Sequence, residues 1–155
     1  MADEEELRKE RERQENLKVL RDLRPVDDDF MRRIFKDNRP LVQKVLRIII
    51  QKPDLKVIRS ETQADMKRLV GARSICYIHN REGYIFHMGL PVYPVERMNV
   101  HLNVPFNDGG HILYVNGAYR GDDDIGRLMH DFLCSNPDDM YDSDMAEATR
   151  HARRI

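Results

Sequence analysis

Apolar residues recur at helical spacing near both ends of the chain. In each case an aspartate or proline cluster stands where a helix would begin or stop. The segment from Leu41 to Ile50 carries seven apolar residues that cover more than half of a helical circumference, so we expect it to be buried on more than one side and to form the best part of the core. The predicted helices run from Phe30 to Phe35, from Pro40 to about Gln51, from Asp122–Asp124 through about Phe132, and from about Asp144 to Arg154.

The middle of the chain changes to short β-prone runs separated by turn residues. The pattern predicts a hairpin from the runs on either side of residues 79–83, and a short helix from Gln63 to Leu69 that ends at Gly71. The predicted strands are Leu55 to Ser60, Ser74 to Ile78, Tyr84 to Phe86, Val92 to Met98 and His111 to Val115.

The first 22 residues differ from the rest, because acids and bases interleave there with few apolar residues. This pattern predicts a solvated helix. The alternative is a basic arm that grips phosphates, but seven acidic residues between Asp3 and Glu15 would repel the same phosphates. With 155 residues in all, we expect residues 1–22 to be a charged helix or arm and residues 23–155 to be a single domain.

Composition and charge restrict the class of protein. Charged residues make up 34 % of the chain but the formal net charge is −1, so no global attraction to DNA or to a membrane follows. The longest apolar run, around Ile48–Ile50, is far shorter than a bilayer span, and an acidic N-terminus is unlike a signal peptide. We expect a cytoplasmic protein with no membrane partner. Cys76 and Cys134 lack CxxC spacing, which favours two small buried hydrophobes over a disulfide or zinc ligands.

Two kinds of cluster invite a metal-site interpretation. The triplets Asp27–Asp29 and Asp122–Asp124 have the carboxylates that hard divalent cations prefer, but both stand just before predicted helices, where capping explains them. His79 and His87 flank the predicted hairpin and would start a transition-metal site if they faced each other. No third ligand is evident, so ring nitrogens satisfied by backbone or water are the simpler interpretation.

The pair His130–Asp131 suggests a general base and the carboxylate that orients it. Adjacent helical residues point about 100° apart, so we predict that these two do not pair with each other. The chain also lacks GxSxG, a Walker glycine loop and a paired CxxC. The residues alone therefore define an α+β domain without an evident active site.

Ten short sequence segments, which follow one another in a fixed order along the chain, add information about the fold and the function. The longest read Leu-Arg-Pro-Val-Asp-Asp-Asp-Phe-Met at 23–31, Leu-Pro-Val-Tyr-Pro-Val-Glu-Arg-Met at 90–98 and His-Ile-Leu-Tyr-Val-Asn-Gly at 111–117. In these blocks the chain resembles the bacterial PD-(D/E)XK nuclease-family transposases, also described as recombination-promoting nucleases. The others are 35–38, 45–49, 61–63, 71–76, 105–109, 119–122 and 128–132.

The resemblance implies a fold and a chemistry. The fold would be a truncated restriction-endonuclease-like core, with a small mixed sheet flanked by helices and preceded by the charged helix. In intact members an Asp at a strand end and a Glu-x-Gln on the next strand hold Mg²⁺ for the cleavage of DNA in recombination or transposition. Here Ile78 aligns with the Asp, and the Glu-x-Gln is absent because only residues 80–88 separate the flanking blocks. Glu82 is the only carboxylate in that gap.

We therefore expect no catalytic, cofactor-binding or metal-binding residues, no cofactor, and no nuclease activity from this chain. The deletion is also expected to expose sheet edges and to leave the helix over residues 41–50 partly uncovered. A second hypothesis is a binding module that pairs with a full-length relative or another copy, or touches DNA, the family's partner, through the basic C-terminal helix. A third retains weak nuclease activity through Asp28, Glu61 or Asp108 in a rebuilt site.

Overall fold

The helices begin and end close to the positions that the apolar periods predict. The computed structural model describes residues 2–58, 60–63, 68–71, 74–79, 88–107 and 110–154. Within these residues the helices are α1 (Ala2–Asp22), α2 (Asp28–Phe35), α3 (Arg39–Ile50), α4 (Asp124–Phe132) and α5 (Ser143–Arg153), with a 3-10 turn at Pro137–Asp139.

Side-chain caps explain where three of the helices start. Asn38 accepts from the Leu41 N–H at the start of α3, Asp123 accepts from Gly126 at α4, and Asp142 accepts from Met145 at α5. The prediction that the first aspartate triplet caps a helix is only partly right. Asp27 occupies the N-cap position of α2 without a side-chain cap, because its carboxylate accepts instead from the backbone N–H of Arg24 at 2.6 Å.

Seven short strands form two sheets in the described residues. The larger sheet has the order β1-β2-β3-β7-β4; all its pairings are antiparallel except that of β3 with β7, which is parallel. The smaller sheet pairs β5 with β6. The strands are β1 (Ser60–Gln63), β2 (Arg68–Gly71), β3 (Ser74–His79), β4 (Val92–Val95), β5 (Met98–Asn99), β6 (Val104–Pro105) and β7 (His111–Asn116).

The predicted strand from Leu55 to Ser60 is wrong for residues 55–58, which belong to no strand. Their backbone groups bond to side chains of α3 instead. The Leu55 carbonyl accepts from Arg47, the Val57 N–H donates to Gln43, and the Ile58 carbonyl accepts from Arg39. A segment with β-branched residues is thus held against a helix, and side chains of that helix satisfy its backbone groups.

Three other predictions of the middle region have mixed outcomes. The short helix from Gln63 to Leu69 is wrong, since Gln63 ends β1 and Leu69 lies in β2, while residues 64–67 lie outside the described residues. The first strand of the predicted hairpin is confirmed as β3, and the second, Tyr84 to Phe86, also lies outside the described residues. The predicted strand from Val92 to Met98 divides into β4 and the start of β5.

The core lies where α2, α3, α4 and α5 meet one face of the large sheet. Phe35 of α2 stacks on Phe132 of α4 with ring centroids 5.8 Å apart. The expectation that the truncated sheet leaves the helix over residues 41–50 partly uncovered is wrong for its central face, whereas Ile48 and Ile50 are only half-buried. The buried residues of α3 are Leu41, Val42, Val45, Leu46 and Ile49, each exposed by 3 % or less.

The fold is a mixed α+β arrangement, with a small mixed sheet packed against helices, as predicted. Helix α1 is the expected solvated helix, because its side chains are exposed almost throughout. Arg153 of α5 fixes its end by donating to the carbonyls of Leu20, Arg21 and Leu23. None of the helices in the described part of the chain is both long enough and apolar enough to cross a membrane.

Candidate functional site

The most unusual surface is a two-stranded extension, residues 96–107, which we call the ribbon. It leaves the large sheet after β4 and returns before β7, and its strands pair Met98 with Pro105 and Asn99 with Val104. One further bond, from the Phe106 N–H to the Arg97 carbonyl at 2.9 Å, extends the ladder. The ribbon therefore has regular backbone pairing and a defined tip at residues 100–103.

Large apolar side chains on and beside the ribbon face outward. Val100 is 83 % exposed, Leu102 70 % and Phe106 64 %. Single exposed apolar residues are ordinary on protein surfaces, but a concentration of them marks an interface. The exposed set between residues 88 and 107 is Met88, Leu90, Met98, Val100, Leu102, Val104 and Phe106.

The ribbon carries little charge. Glu96 and Arg97 are its only acidic and basic residues apart from His101. Glu96 lies 2.8 Å from His111 Nδ1 on β7, so this carboxylate links the base of the ribbon to the large sheet. The rest of the ribbon presents an almost uncharged surface in which apolar side chains alternate with asparagine and histidine.

The prediction that His130 and Asp131 do not pair with each other is wrong. His130 Nδ1 lies 2.9 Å from Asp131 Oδ1, near the end of α4. The 100° separation applies to the Cα–Cβ directions, and side chains of this length turn toward each other beyond Cβ. The Asp131 carboxylate is also held in place, because it is fully buried and accepts from the backbone N–H groups of Tyr141 and Asp142 at 2.9 Å each.

The His130–Asp131 pair helps to hold α4 against the start of α5. Its carboxylate ties the end of α4 to the turn that starts α5, and the His130 ring packs edge-on against Tyr141 with centroids 4.8 Å apart. A base of the hydrolase type needs a nucleophile within hydrogen-bond reach. Among the described residues, no hydroxyl or thiol side chain hydrogen-bonds to His130.

A charged cluster beside this turn joins α3 to α5. Lys44 Nζ lies 2.6 Å from Asp142 and 2.8 Å from Asp144. The hydrogen bonds to Asp142 and then Asp144 raise the pKa of Lys44. Burial pushes the pKa of Asp142 upward, but the bonds from Lys44 and the Met145 N–H outweigh burial and leave that pKa lowered. The contact therefore stabilises the charged forms of Lys44 and Asp142 and ties α3 to the start of α5.

The structure describes only some of the predicted site positions. Ile78, which aligns with the metal-binding Asp, is fully buried on β3, and Cys76 beside it is buried, with its pKa raised to about 12 by burial. The prediction of a small buried hydrophobe is confirmed for Cys76 but not for Cys134, which is half-buried and whose thiol donates to the Asn136 carbonyl at 3.1 Å. The side chain of Asp28, that of Glu61 and all of Asp108 lie outside the described residues, as do the side chain of His79 and all of His87.

The second aspartate triplet acts as predicted for a cap. Asp123 caps α4, and its neighbours face Arg127, with Asp124 at 2.8 Å and Asp122 at 3.5 Å from the guanidinium. The part of the chain that the structure describes contains no group of three or more His, Cys, Asp or Glu side chains placed to hold a metal ion.

The basic C-terminal helix is largely engaged by the protein itself. Arg150 pairs with Asp138 at 2.7 Å, and the Arg153 guanidinium donates to backbone carbonyls, including that of Ser135, and lies over the Phe30 ring. These bonds occupy two of the cations that would otherwise contact phosphates.

A cleft of about 810 Å³ lies beside α5, between that helix and the turn from α2 to α3. Its lining mixes cations and carboxylates and so favours neither an anionic nor a cationic ligand. The charged side chains that line it are Arg33, Lys36, Asp37, Asp144 and Glu147.

No family model, curated protein or solved structure matches the chain. The ribbon is therefore identified as the candidate site from its own residues and geometry. The sequence contains a signal for the ribbon that our interpretation missed: apolar residues alternate with other residues at Met98, Val100, Leu102, Val104 and Phe106. Such alternation predicts a strand or a hairpin. In the observed register Met98 and Val104 lie on opposite faces of the ribbon, because Met98 pairs with Pro105 and Asn99 pairs with Val104.

Proposed function

We propose that this chain is a shortened member of the PD-(D/E)XK nuclease-family transposases that cleaves no DNA by itself. The burial of Ile78 is the main support for the lack of DNA cleavage. A Mg²⁺ site requires carboxylates that reach the ion and the attacking water. Ile78 instead lies opposite Val115 in the parallel pair of β3 and β7, and both residues are buried in the core.

A cleavage assay tests this proposal. Purified chain is incubated with supercoiled and linear duplex DNA in Mg²⁺ or Mn²⁺, with a chelator as the control, and no metal-dependent products are expected. Thermal melts with Mg²⁺ and with the chelator are expected to coincide, because an ion that binds only the folded chain would raise the melting temperature.

Metal-dependent cleavage would contradict the proposal if it were lost in the variants Asp28→Asn, Glu61→Gln or Asp108→Asn. Those residues are the candidate ligands of a rebuilt site, so that result would establish weak nuclease activity. Cleavage that persists in all three variants would indicate a contaminating nuclease. Repeating the assay with a fresh preparation would test that explanation.

A second function, protein–protein interaction, is supported by the ribbon. Its apolar surface and low charge suit a protein partner, whereas a nucleic-acid partner requires clustered Lys and Arg. The chain would thus act as a binding module, with another copy or an intact family member as its partner.

Salt dependence separates the two kinds of partner. Complexes held by the ribbon should survive raised salt, since apolar burial is not screened. Binding to a short duplex DNA that weakens steeply with salt, in the absence of any protein complex, would overturn the interaction role and favour a DNA-binding module.

A further inference from the structure

The His130–Asp131 pair fixes which nitrogen of the imidazole ring carries the proton. The Asp131 carboxylate is fully buried and accepts from the backbone N–H groups of Tyr141 and Asp142 at 2.9 Å each. Because this carboxylate acts as an acceptor, His130 Nδ1, which lies 2.9 Å from it, carries a proton and donates. In the neutral ring the lone pair therefore lies on Nε2.

The fold makes no use of His130 Nε2 in the residues that the structure describes. No hydrogen bond reaches this nitrogen there, and the His130 side chain is 35 % exposed although its carboxylate partner is fully buried. Histidine is one of the side chains that form covalent intermediates. A carboxylate at the other ring nitrogen selects the reactive tautomer and stabilises the positive charge that develops during attack. The pair therefore has the arrangement of a histidine nucleophile, which needs no serine or cysteine beside it.

The other histidines whose side chains the structure describes lack this support. His101 and His151 are exposed, and neither bonds to a carboxylate of the described residues. His111 Nδ1 lies 2.8 Å from Glu96, but the side chain of Glu96 is 55 % exposed, so water competes for its oxygens. Of these four histidines, only His130 has a buried carboxylate as its partner.

The surroundings of the His130 ring favour a neutral substrate. Asp139, two residues before Tyr141, has no ion pair within the described residues, and Asp131 adds a second carboxylate. An anionic acyl donor would be repelled by these groups. The Tyr141 ring packs edge-on against His130 and its residue is 67 % exposed, so it offers a surface on which an aryl group packs.

We propose that His130 accepts acyl groups from neutral aryl esters, with Asp131 as the positioning residue. The Nε2 lone pair attacks the ester carbonyl, the C–N bond forms, and the bond to the leaving oxygen breaks, so that its electron pair departs with the aryloxide. The acyl-imidazolium keeps its Nδ1 proton, which still bonds to Asp131. Water then adds to the acyl carbon, the C–N bond breaks, and the carboxylic acid and one proton are released from the neutral imidazole.

The first experiment measures which histidine reacts fastest. The full chain carries Cys134→Ser, since a thiol also reacts with acyl donors, and is treated with diethyl pyrocarbonate at alkaline pH, where imidazole is neutral. Peptide mass spectrometry gives the rate at each histidine. His130 should react several-fold faster than His101 and His151, although it is less exposed than either. Rates that simply follow exposure would overturn the proposal.

Hydrolysis of 4-nitrophenyl acetate tests turnover in the same Cys134→Ser background. The release of nitrophenolate should lose most of its rate in His130→Gln. The matched control is His151→Gln, at an exposed histidine on α5, which should keep the rate of its parent. A His130→Gln variant that hydrolyses the ester as fast as its parent would contradict the proposal.

Asp131→Asn tests the positioning role. An amide that donates to Nδ1 places the ring proton on Nε2, so the labelling of His130 should slow to the rate of His101. Long-range proton–nitrogen NMR spectra show which ring nitrogen is protonated, and a purely structural role of Asp131 would not move that proton. An unchanged tautomer with unchanged labelling would overturn the positioning role. If this variant does not fold, the comparison of histidines in the chain with Asp131 intact decides.

Discussion

The helical core and the ribbon contain the same kinds of residue in opposite environments. Phe132 of α4 is fully buried and stacked on Phe35, whereas Phe106 of the ribbon is 64 % exposed. The difference arises because helices from distant parts of the chain converge on Phe132, while the ribbon projects from the sheet with only its own two strands. Apolar character alone therefore does not place a residue in the core.

The largest expected effect comes from truncating the two phenylalanines. Phe132→Ala should lower the free energy of unfolding by about 3–5 kcal/mol, because it removes a stacked ring and leaves a cavity. Phe106→Ala should change it by less than about 0.5 kcal/mol in dilute, monomeric samples. Urea denaturation measures both. Equal losses in the two variants would show that the ribbon belongs to the core.

The next effect comes from the buried carboxylate of α4. Asp131→Ala should lower the free energy of unfolding by about 2–4 kcal/mol, because the N–H groups of Tyr141 and Asp142 lose their acceptor. The control is Asp54→Ala, at an exposed carboxylate, which should be nearly neutral. If the two variants melt alike, Asp131 does not hold the start of α5.

A smaller effect concerns pH. The pKa of Asp142 is lowered in the folded chain, so the unfolded chain takes up this proton first as the pH falls below the ordinary value of 3.8. The stability that the ionised carboxylate contributes is therefore present above that value and is lost as the pH falls through the lower folded pKa. The contribution should be about 1 kcal/mol or less, because the pair with Lys44 is partly exposed.

Asp142→Asn isolates this contribution. The gap in stability between wild type and variant should be widest near neutral pH and should narrow in acid, as measured by thermal melts across the range. A gap that stays constant with pH would mean that the cap alone, which asparagine can also provide, accounts for the role of Asp142.

The smallest effect is expected at the tip of the ribbon. Val100→Ser/Leu102→Ser should leave the unfolding free energy of the monomer within about 0.5 kcal/mol of wild type, because these side chains bury little area. The same variant should aggregate less at high concentration, as followed by light scattering. A clear loss of monomer stability would contradict the exposed placement of the ribbon.

The helical half could be predicted from the sequence because its signals are local. Asn38, Asp123 and Asp142 stand where side-chain oxygens reach the first free N–H groups, and the apolar face of α3 repeats at helical spacing. The middle region could not be predicted in the same way. The segment of residues 55–58 has strand-like residues, but its hydrogen-bond partners are Arg39, Gln43 and Arg47, which only the packed structure places beside it.

The candidate site was less predictable than the fold. The alternation from Met98 to Phe106 was present in the sequence, but alternation does not say whether an apolar face meets a core or solvent. The directions of the two Cβ atoms argue against a hydrogen bond between His130 and Asp131. The bond forms nevertheless, because the backbone N–H groups of Tyr141 and Asp142, which are distant in sequence, fix the Asp131 carboxylate.

By itself the sequence determined the helices, the side-chain caps of α3, α4 and α5, and the solvated character of α1, since these follow from residue type and spacing over a few turns. Only the tertiary structure decided that α3 is covered, that residues 55–58 lie along a helix, and that the apolar ribbon projects into solvent. These outcomes depend on which distant segments of the chain pack together, because that packing determines which side chains are buried.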